Sequence, residues 1–418
     1  MNEYKDKLIK ELNNYKEILI LLIIGLCTGT IVGLVGTAFY YGIKFATAFR
    51  TEHDFIILLL PFAGLFIVFM YRVCRDYEDK GTNLVITSIS EGDNLPLKKA
   101  PLIFIASVVT HLFGGSAGRE GAALQIGGSI GYNLGKAARQ GDERLKIFTM
   151  CGMAAAFSAL FGTPMTAAIF AMELESVGIM YYSALVPCVV SALVANGIAQ
   201  QLGTVPDVFT VSYIPEFTIK TACLAGLLAI MCAAVSIVFC VGMHRTGRLY
   251  KRLFKNPYIR IFVGGCIVVA LTFIVGNRYY NGAGMNVIEM AIEGTAPSPA
   301  FILKILFTCL TLGAGYKGGE IVPSLYIGAT FGCLFANIFN LTPALSASIG
   351  MGALFCGVTN CPISALLICF EMFGYNGMPY YLIAIALSYA SSGYFSLYKS
   401  QKIMYSKYHN KYINKQAR

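Results

Sequence analysis

Gly114-Gly115-Ser116-Ala117-Gly118-Arg119-Glu120-Gly121-Ala122-Ala123-Leu124-Gln125-Ile126-Gly127-Gly128-Ser129-Ile130-Gly131 follows an apolar run over residues 100–113, and its reading decides the fold. It sets charge where a lipid-buried segment is expected. Glycines lead into a run of helix formers, which predicts a broken helix whose second half begins near Gly118 and presents free backbone N–H groups. Such an end attracts anions. An ionisable residue at membrane depth usually lines a pathway, so Glu120 reads as a titratable gate or proton carrier. The alternative makes Arg119 and Glu120 snorkelling or interhelical partners at a membrane border.

The surrounding composition is that of a polytopic membrane protein. The chain has 418 residues, of which 56% are hydrophobic and 13% charged, and its long apolar runs exceed what a soluble core of this size needs. The 13 cysteines form no C-x-x-C pair and the four histidines are isolated, so the sequence signals no metal site, no disulfide framework and no cofactor. The formal charge of +10 collects in loops and tails, as expected of cytoplasmic faces, which argues against nucleic acid as a partner. Residues 1–16 are polar and helical in pattern with acids among the lysines, unlike a cleaved signal peptide, so the first span is expected to stay.

Along the chain, residues 18–49 are long enough to cross a bilayer at a tilt, and 55–71 return before Arg72, Arg75 and Lys80. Residues 82–90 are too short to span and predict a partial helix. The cation-rich loop 136–146 is expected on the cytoplasmic side. Residues 147–162 and 164–172 are two pieces divided by Gly162-Thr163-Pro164, neither of which spans comfortably alone. A span over 181–202 precedes a loop between halves at 203–214. Span 217–243 follows, then the cationic segment 244–260, then 261–276. A short amphipathic piece at 285–293 and an apolar run at 300–312 lead into a second glycine-rich stretch, 313–332. Apolar segments at 349–373 and 380–395 precede a basic tail, 399–418, expected to be cytoplasmic with no appended regulatory domain.

The two glycine-rich regions belong to an internal repeat. Gly152-Met153, Phe157, Pro164 and Glu173 recur as Gly350-Met351, Phe355, Pro362 and Glu371 with equal spacing. Gly127-Gly128-Ser129-Ile130-Gly131 falls on Gly328-Ala329-Thr330-Phe331-Gly332, which sets Arg119-Glu120 opposite Glu320-Ile321. Convergence on small-residue helix packing would supply glycines but would not fix the proline-to-glutamate spacing twice. Interrupted helices at matching places in two halves mark a transporter whose substrate sits between the repeats. The expected fold is therefore all-α: one transmembrane domain over 1–418, built of two inverted-topology repeats, approximately 17–203 and 216–398, with many tilted, short and interrupted helices.

With these pieces in place the chain resembles the CLC family of anion channels and proton-coupled anion antiporters over nearly its whole length. Gly118-Arg119-Glu120-Gly121 resembles the family's G-R-E-G-P, Gly319-Glu320-Ile321-Val322-Pro323 its G-x-F-x-P, and Tyr398 its central tyrosine. The resemblance implies that Glu120 gates the anion site and carries protons while helix N-termini coordinate the anion. It also implies a homodimer with a pathway in each subunit. Departures narrow the branch. Gly81-Thr82-Asn83-Leu84-Val85 stands where most relatives have G-S-G-I-P, and Ala122 replaces the proline of G-R-E-G-P. Ile321 takes the phenylalanine slot behind Glu320, and Leu174 stands at the internal proton-handling glutamate, with Glu173 beside it. Asn83 and Glu320 are similar to features of the fluoride/proton antiporter branch.

The implied function is fluoride export in exchange for protons across the plasma membrane of a multi-pass protein with both termini cytoplasmic. The expected anion site comprises Thr82, Asn83, Gly319, Glu320, Ile321 and Tyr398, supported by the motif residues Gly118, Arg119, Gly121 and Pro323. Fluoride is small and strongly hydrated, so its site has to replace water with fixed hydrogen-bond donors. The alternative for Asn83 is a helix cap, and for Tyr398 an interfacial tyrosine. A chloride/proton antiporter or passive chloride channel is the near alternative function. An intramembrane enzyme is disfavoured, because no H-E-x-x-H pair, convergent ligand set or nucleophile with its base is recognisable.

Overall fold

A computed structural model describes residues 2–76, 80–211 and 213–418. Met1 of the polar start and Ser212 of the loop between halves lie outside the described residues. The first span and the polar start form one rod, α1 (Asn2–Glu52), followed by α2 (Leu60–Val73). The short piece appears as α3 (Thr82–Ser90), and the glycine stretch is flanked by α4 (Lys99–Leu112) and α5 (Glu120–Ala137). Next come α6 (Asp142–Phe161), α7 (Pro164–Glu173) and α8 (Leu185–Gln201). The second half runs through α9 (Ile219–Leu253), α10 (Pro257–Val275), α11 (Met285–Glu293) and α12 (Ala300–Ala314). It continues with α13 (Ile321–Phe339), α14 (Pro343–Thr359), α15 (Pro362–Phe373) and α16 (Met378–Ser391). The order of long and short helices in α3 to α8 recurs in α11 to α16.

Seven of the described helices are long and apolar enough to cross a membrane. One of them, α6, corrects the expectation of a short piece at 147–162: the helix starts at Asp142 and takes in the charged residues through Lys146, reaching 20 residues. The apolar stretch 349–373 also divides, between α14 and α15. Asn360 ends α14 in the left-handed conformation at φ 58°, as Gly162 ends α6 at φ 72°. Each is followed two residues later by the proline that opens the next helix, where a missing N–H breaks no helical bond.

Each repeat is joined internally by a glycine crossing. A Cβ on Gly127 of α5 would stand 2.0 Å from the Gly152 carbonyl of α6, and one on Gly328 of α13 would stand 2.3 Å from the Gly350 carbonyl of α14. Backbones therefore touch where side chains would separate them.

The tail departs from an all-helical end. Strand β1 (Ser176–Val177) pairs in parallel with β2 (Lys402–Tyr405), and β2 pairs antiparallel with β3 (Tyr412–Gln416). Lys407 is drawn in rather than solvated. Its ammonium donates to Asn360 Oδ1 at 2.6 Å and to the Tyr389 carbonyl at 2.9 Å, and lies 4.2 Å from the Tyr389 ring centroid.

Gly127→Val is expected to push α5 from α6 and destabilise the protein by roughly 3 kcal/mol. Gly197→Ala, on α8 with no atom within 4 Å of the added carbon, should leave it folded. Thermal unfolding with size-exclusion chromatography in detergent checks both.

Candidate functional site

The two glycine-rich motifs meet through their backbones. Gly118 N–H donates to the Gly319 carbonyl at 2.7 Å and Gly319 N–H donates to the Gly118 carbonyl at 2.7 Å, a two-residue antiparallel bridge between segments two hundred residues apart. The space admits no Cβ on either side: one on Gly118 would stand 2.9 Å from Pro323 Cδ, and one on Gly319 would stand 2.4 Å from the Gly121 nitrogen. Pro323 thus serves as packing for the bridge. From this bridge α5 and α13 diverge, each starting next to it. The first intrahelical donor of α5 is Ala123, to Arg119, and that of α13 is Ser324, to Glu320, so the amides before them are available to a ligand.

The third helix start is α3. Gly81 precedes it at φ 58°, a conformation glycine adopts without strain. Thr82 is buried, and its hydroxyl accepts from Gln125 Nε2 at 3.3 Å, while Gln125 also donates to the Gly121 carbonyl at 3.1 Å. A Cβ on Gly121 would lie 3.0 Å from Glu320 Oε2 and 3.5 Å from Thr82 Oγ1. Thr82, Gly121 and Glu320 therefore converge on one point, beside the buried Ile321. Among the described residues, Glu320 Oε2 and the Tyr398 hydroxyl are buried without a hydrogen-bond partner. Tyr398 is also within electrostatic reach of Glu320 and Glu120.

Glu120 is fully buried at the start of α5. Its Oε2 accepts from the Arg119 backbone N–H at 3.0 Å, and its Oε1 from Arg119 Nε at 3.3 Å. The Arg119 guanidinium pairs with Asp207 as well and lies over the rings of Tyr40 and Phe161. Asp207 was not singled out by the sequence, being one acid in a loop far along the chain. Gln125 carried a signal, a polar residue one helical turn beyond Gly121.

Asn83 is placed at the start of α3 but held from outside it: its Oδ1 accepts from Ser400 N–H at 3.0 Å, in the tail just past Tyr398. It does not cap its own helix. Its amide N–H₂ makes no hydrogen bond among the described residues.

The repeat glutamates have a different task. Glu173, at the end of α7, accepts from the N–H groups of Ile363 (3.2 Å) and Ser364 (2.9 Å) and from the Ser364 hydroxyl (2.6 Å), at the start of α15. Glu371, at the end of α15, accepts in return from Met165 N–H, Thr166 N–H (each 2.8 Å) and the Thr166 hydroxyl (2.6 Å), at the start of α7. Each carboxylate caps the other repeat's helix. Glu173 is thereby committed to structure, which explains its presence beside Leu174.

The model of a family described as voltage gated chloride channel matches residues 62–393. A chloride/fluoride channel protein of Pseudomonas syringae pv. tomato is 33% identical over 391 residues, covering 91% of this chain and 86% of that protein. The H(+)/Cl(−) exchange transporter ClcA of Yersinia pestis is 25% identical over 399 residues, covering 88% and 83%. The crystal structure of a CLC-type fluoride/proton antiporter superposes with a TM-score of 0.89 at 32% identity, over 93% of this chain and 98% of that one. A slow cyanobacterial Cl−/H+ antiporter shares the fold, with a TM-score of 0.76 at 20% identity over 89% and 94%.

Glu371→Ala strips the acceptor from three donors and is expected to lower stability by about 3 kcal/mol. Glu173→Gln keeps an acceptor oxygen and should lose less, while leaving proton coupling intact. Unfolding in detergent and proton flux in liposomes measure the two.

Proposed function

The chain belongs to the voltage gated chloride channel family, and from that premise we propose that it exports fluoride in exchange for protons across the plasma membrane. It is a multi-pass membrane protein of a family of ion channels and transporters rather than enzymes. The proposed assembly is a homodimer with a separate pathway in each subunit, and both termini are assigned to the cytoplasm because cations dominate them.

The observation that carries the reading is the convergence of Thr82, Gly121 and Glu320 between three helix starts, with Glu320 Oε2 buried and unpaired among the described residues. An anion beside a buried carboxyl is tolerated when that carboxyl holds its proton, for it then presents an O–H donor instead of a charge. Fluoride, compact and a strong acceptor, gains most from such a donor. The Tyr398 hydroxyl, the Thr82 hydroxyl, the amide of Asn83 and the free N–H groups of α3, α5 and α13 complete a donor-rich surrounding. The names of the two similar proteins that act on fluoride support the same reading.

In the proposed cycle Glu120 carries the proton. Ionised, it accepts from the Arg119 backbone and occupies the helix start as an anion would; protonated, it loses that attraction and gives way to fluoride. Movement of the carboxyl between these positions alternates a state in which ionised Glu120 holds the helix start with one in which protonated Glu120 has yielded that place to fluoride.

Wild-type protein in liposomes is expected to move fluoride at least tenfold faster than chloride, with protons moving oppositely, and Glu120→Gln to abolish proton movement. Simultaneous fluoride, chloride and pH recordings test this. Equal chloride flux would replace the reading by chloride/proton exchange, and anion flux without protons by a channel.

Asn83→Gly removes a side-chain donor and the Ser400 contact while leaving the helix amides in place. Fluoride preference should fall by about tenfold, with unfolding temperature changed little; competition flux measurements give the ratio.

A further inference from the structure

The linker between α8 and α9 is held down beside Glu120, although its sequence reads as a plain connection. Asp207 N–H donates to the Phe161 carbonyl at 3.1 Å, at the end of α6, and Phe209 N–H donates to the Met372 carbonyl at 2.8 Å, near the end of α15. Pro206 packs so closely on Gly162 that a Cβ there would meet it at 2.5 Å. The linker thus presents one carboxylate, 15% exposed, to a guanidinium that is 11% exposed.

Arg119 has two acidic neighbours, and they are unequal. Its Nε reaches Glu120 Oε1 at 3.3 Å, long for a charge-assisted hydrogen bond, whereas its terminal nitrogen is in direct contact with Asp207. The rings of Tyr40 and Phe161 lie 5.5 and 5.9 Å from the guanidinium carbon and restrict its movement. A buried guanidinium whose sole carboxylate were Glu120 would be left uncompensated whenever Glu120 moved or took a proton, and would oppose both events.

We propose that Asp207 is a positioning residue of the gate: as Arg119's fixed counter-ion it keeps the guanidinium on the linker while the Glu120 carboxyl leaves and returns. This rests on the reading of Glu120 as the mobile proton carrier. Facing Glu120 are Arg119 on its own segment, Asp207 on the linker, Glu320 beside the backbone bridge and Tyr398 before the tail strands, and facing Arg119 are also Tyr40 on α1 and His111 on α4. Asp207 is the acid among them that pairs with the guanidinium without belonging to the anion site.

Replacing Asp207 by Asn keeps a hydrogen-bonding side chain of nearly the same shape but removes the charge. Arg119 then has Glu120 as its carboxylate partner, the closed ionised gate is favoured, and a higher proton concentration is needed to open it. In liposomes, Asp207→Asn should slow anion efflux about tenfold at neutral pH and move the activity profile about one pH unit toward acid. Asp207→Glu should restore the wild-type profile. In a Glu120→Gln background Asp207→Asn should add no further pH dependence, because the group it acts through is gone. Asp207→Ser, which also removes the charge, gives the same readout where the Asn variant fails to fold. An active wild type whose profile Asp207→Asn leaves unmoved overturns the role of Asp207 alone. Absence of any anion flux by the wild type overturns the functional reading and this role with it.

Discussion

Two backbone hydrogen bonds between Gly118 and Gly319, 2.7 Å each, hold the arrangement together. They join the interrupted helices of the two halves where both segments leave helical geometry and need partners for their amides. In a membrane interior no water supplies those partners, so irregular backbone persists only where it is paired or lines a cavity. The bridge solves part of that problem: with these two glycines paired, the starts of α5 and α13 are held side by side. The close packing of Pro323 and Gly121 on the bridge leaves no room for either motif to slide on the other.

The same economy governs the periphery of the site. Helix starts buried in a membrane protein require acceptors, and Glu173 and Glu371 supply them reciprocally between α7 and α15. A carboxylate on a helix N-terminus is stabilised by the dipole and by direct N–H donors, so these two acids are anchored by the structure they support. Glu120 sits at a comparable helix start but accepts from one backbone N–H and one guanidinium. That contrast separates acids that hold helices in place from the acid proposed to move.

Much of this was legible in the residues. Helix breaks announced themselves through Gly162-Thr163-Pro164 and the recurring proline-to-glutamate spacing, and Glu120 and Glu320 stood out as charges in apolar surroundings. What the sequence concealed was pairing between distant segments. The spacing marked Glu173 and Glu371 as equivalent but not as each other's caps, since the bonds cross between repeats. Asp207 looks like any loop acid until its linker is seen against α6. Nor does the charge of the tail reveal that Asn360 and the Tyr389 ring draw Lys407 inward. The charges of residues 142–146 point to a loop, yet these residues lengthen α6 by more than a turn at a helix start, where Asp142 and Glu143 suit the dipole.

Selective exchange of a strongly hydrated anion makes two demands that pull against each other. Donors have to stay fixed, because a loose donor relaxes around a larger ion and discrimination is lost, yet one group has to move for anything to be transported. Here the fixed part is tied from several directions: Asn83 by Ser400 of the tail, Thr82 by Gln125, and the helix starts by the glycine bridge. The tail itself is pinned, with Gln401 donating to the carbonyls of Leu174 and Thr359 from the ends of α7 and α14. Tyr398 is held by the same turn, its N–H donating to the Ser396 hydroxyl at 3.1 Å. Restraint on these groups therefore comes from elements remote in sequence, which suits the proposed cycle, in which the start of α5 releases one carboxyl without disturbing α3 or α13. In the proposed cycle, rigidity of the surroundings and mobility of a single side chain let one site meet both demands.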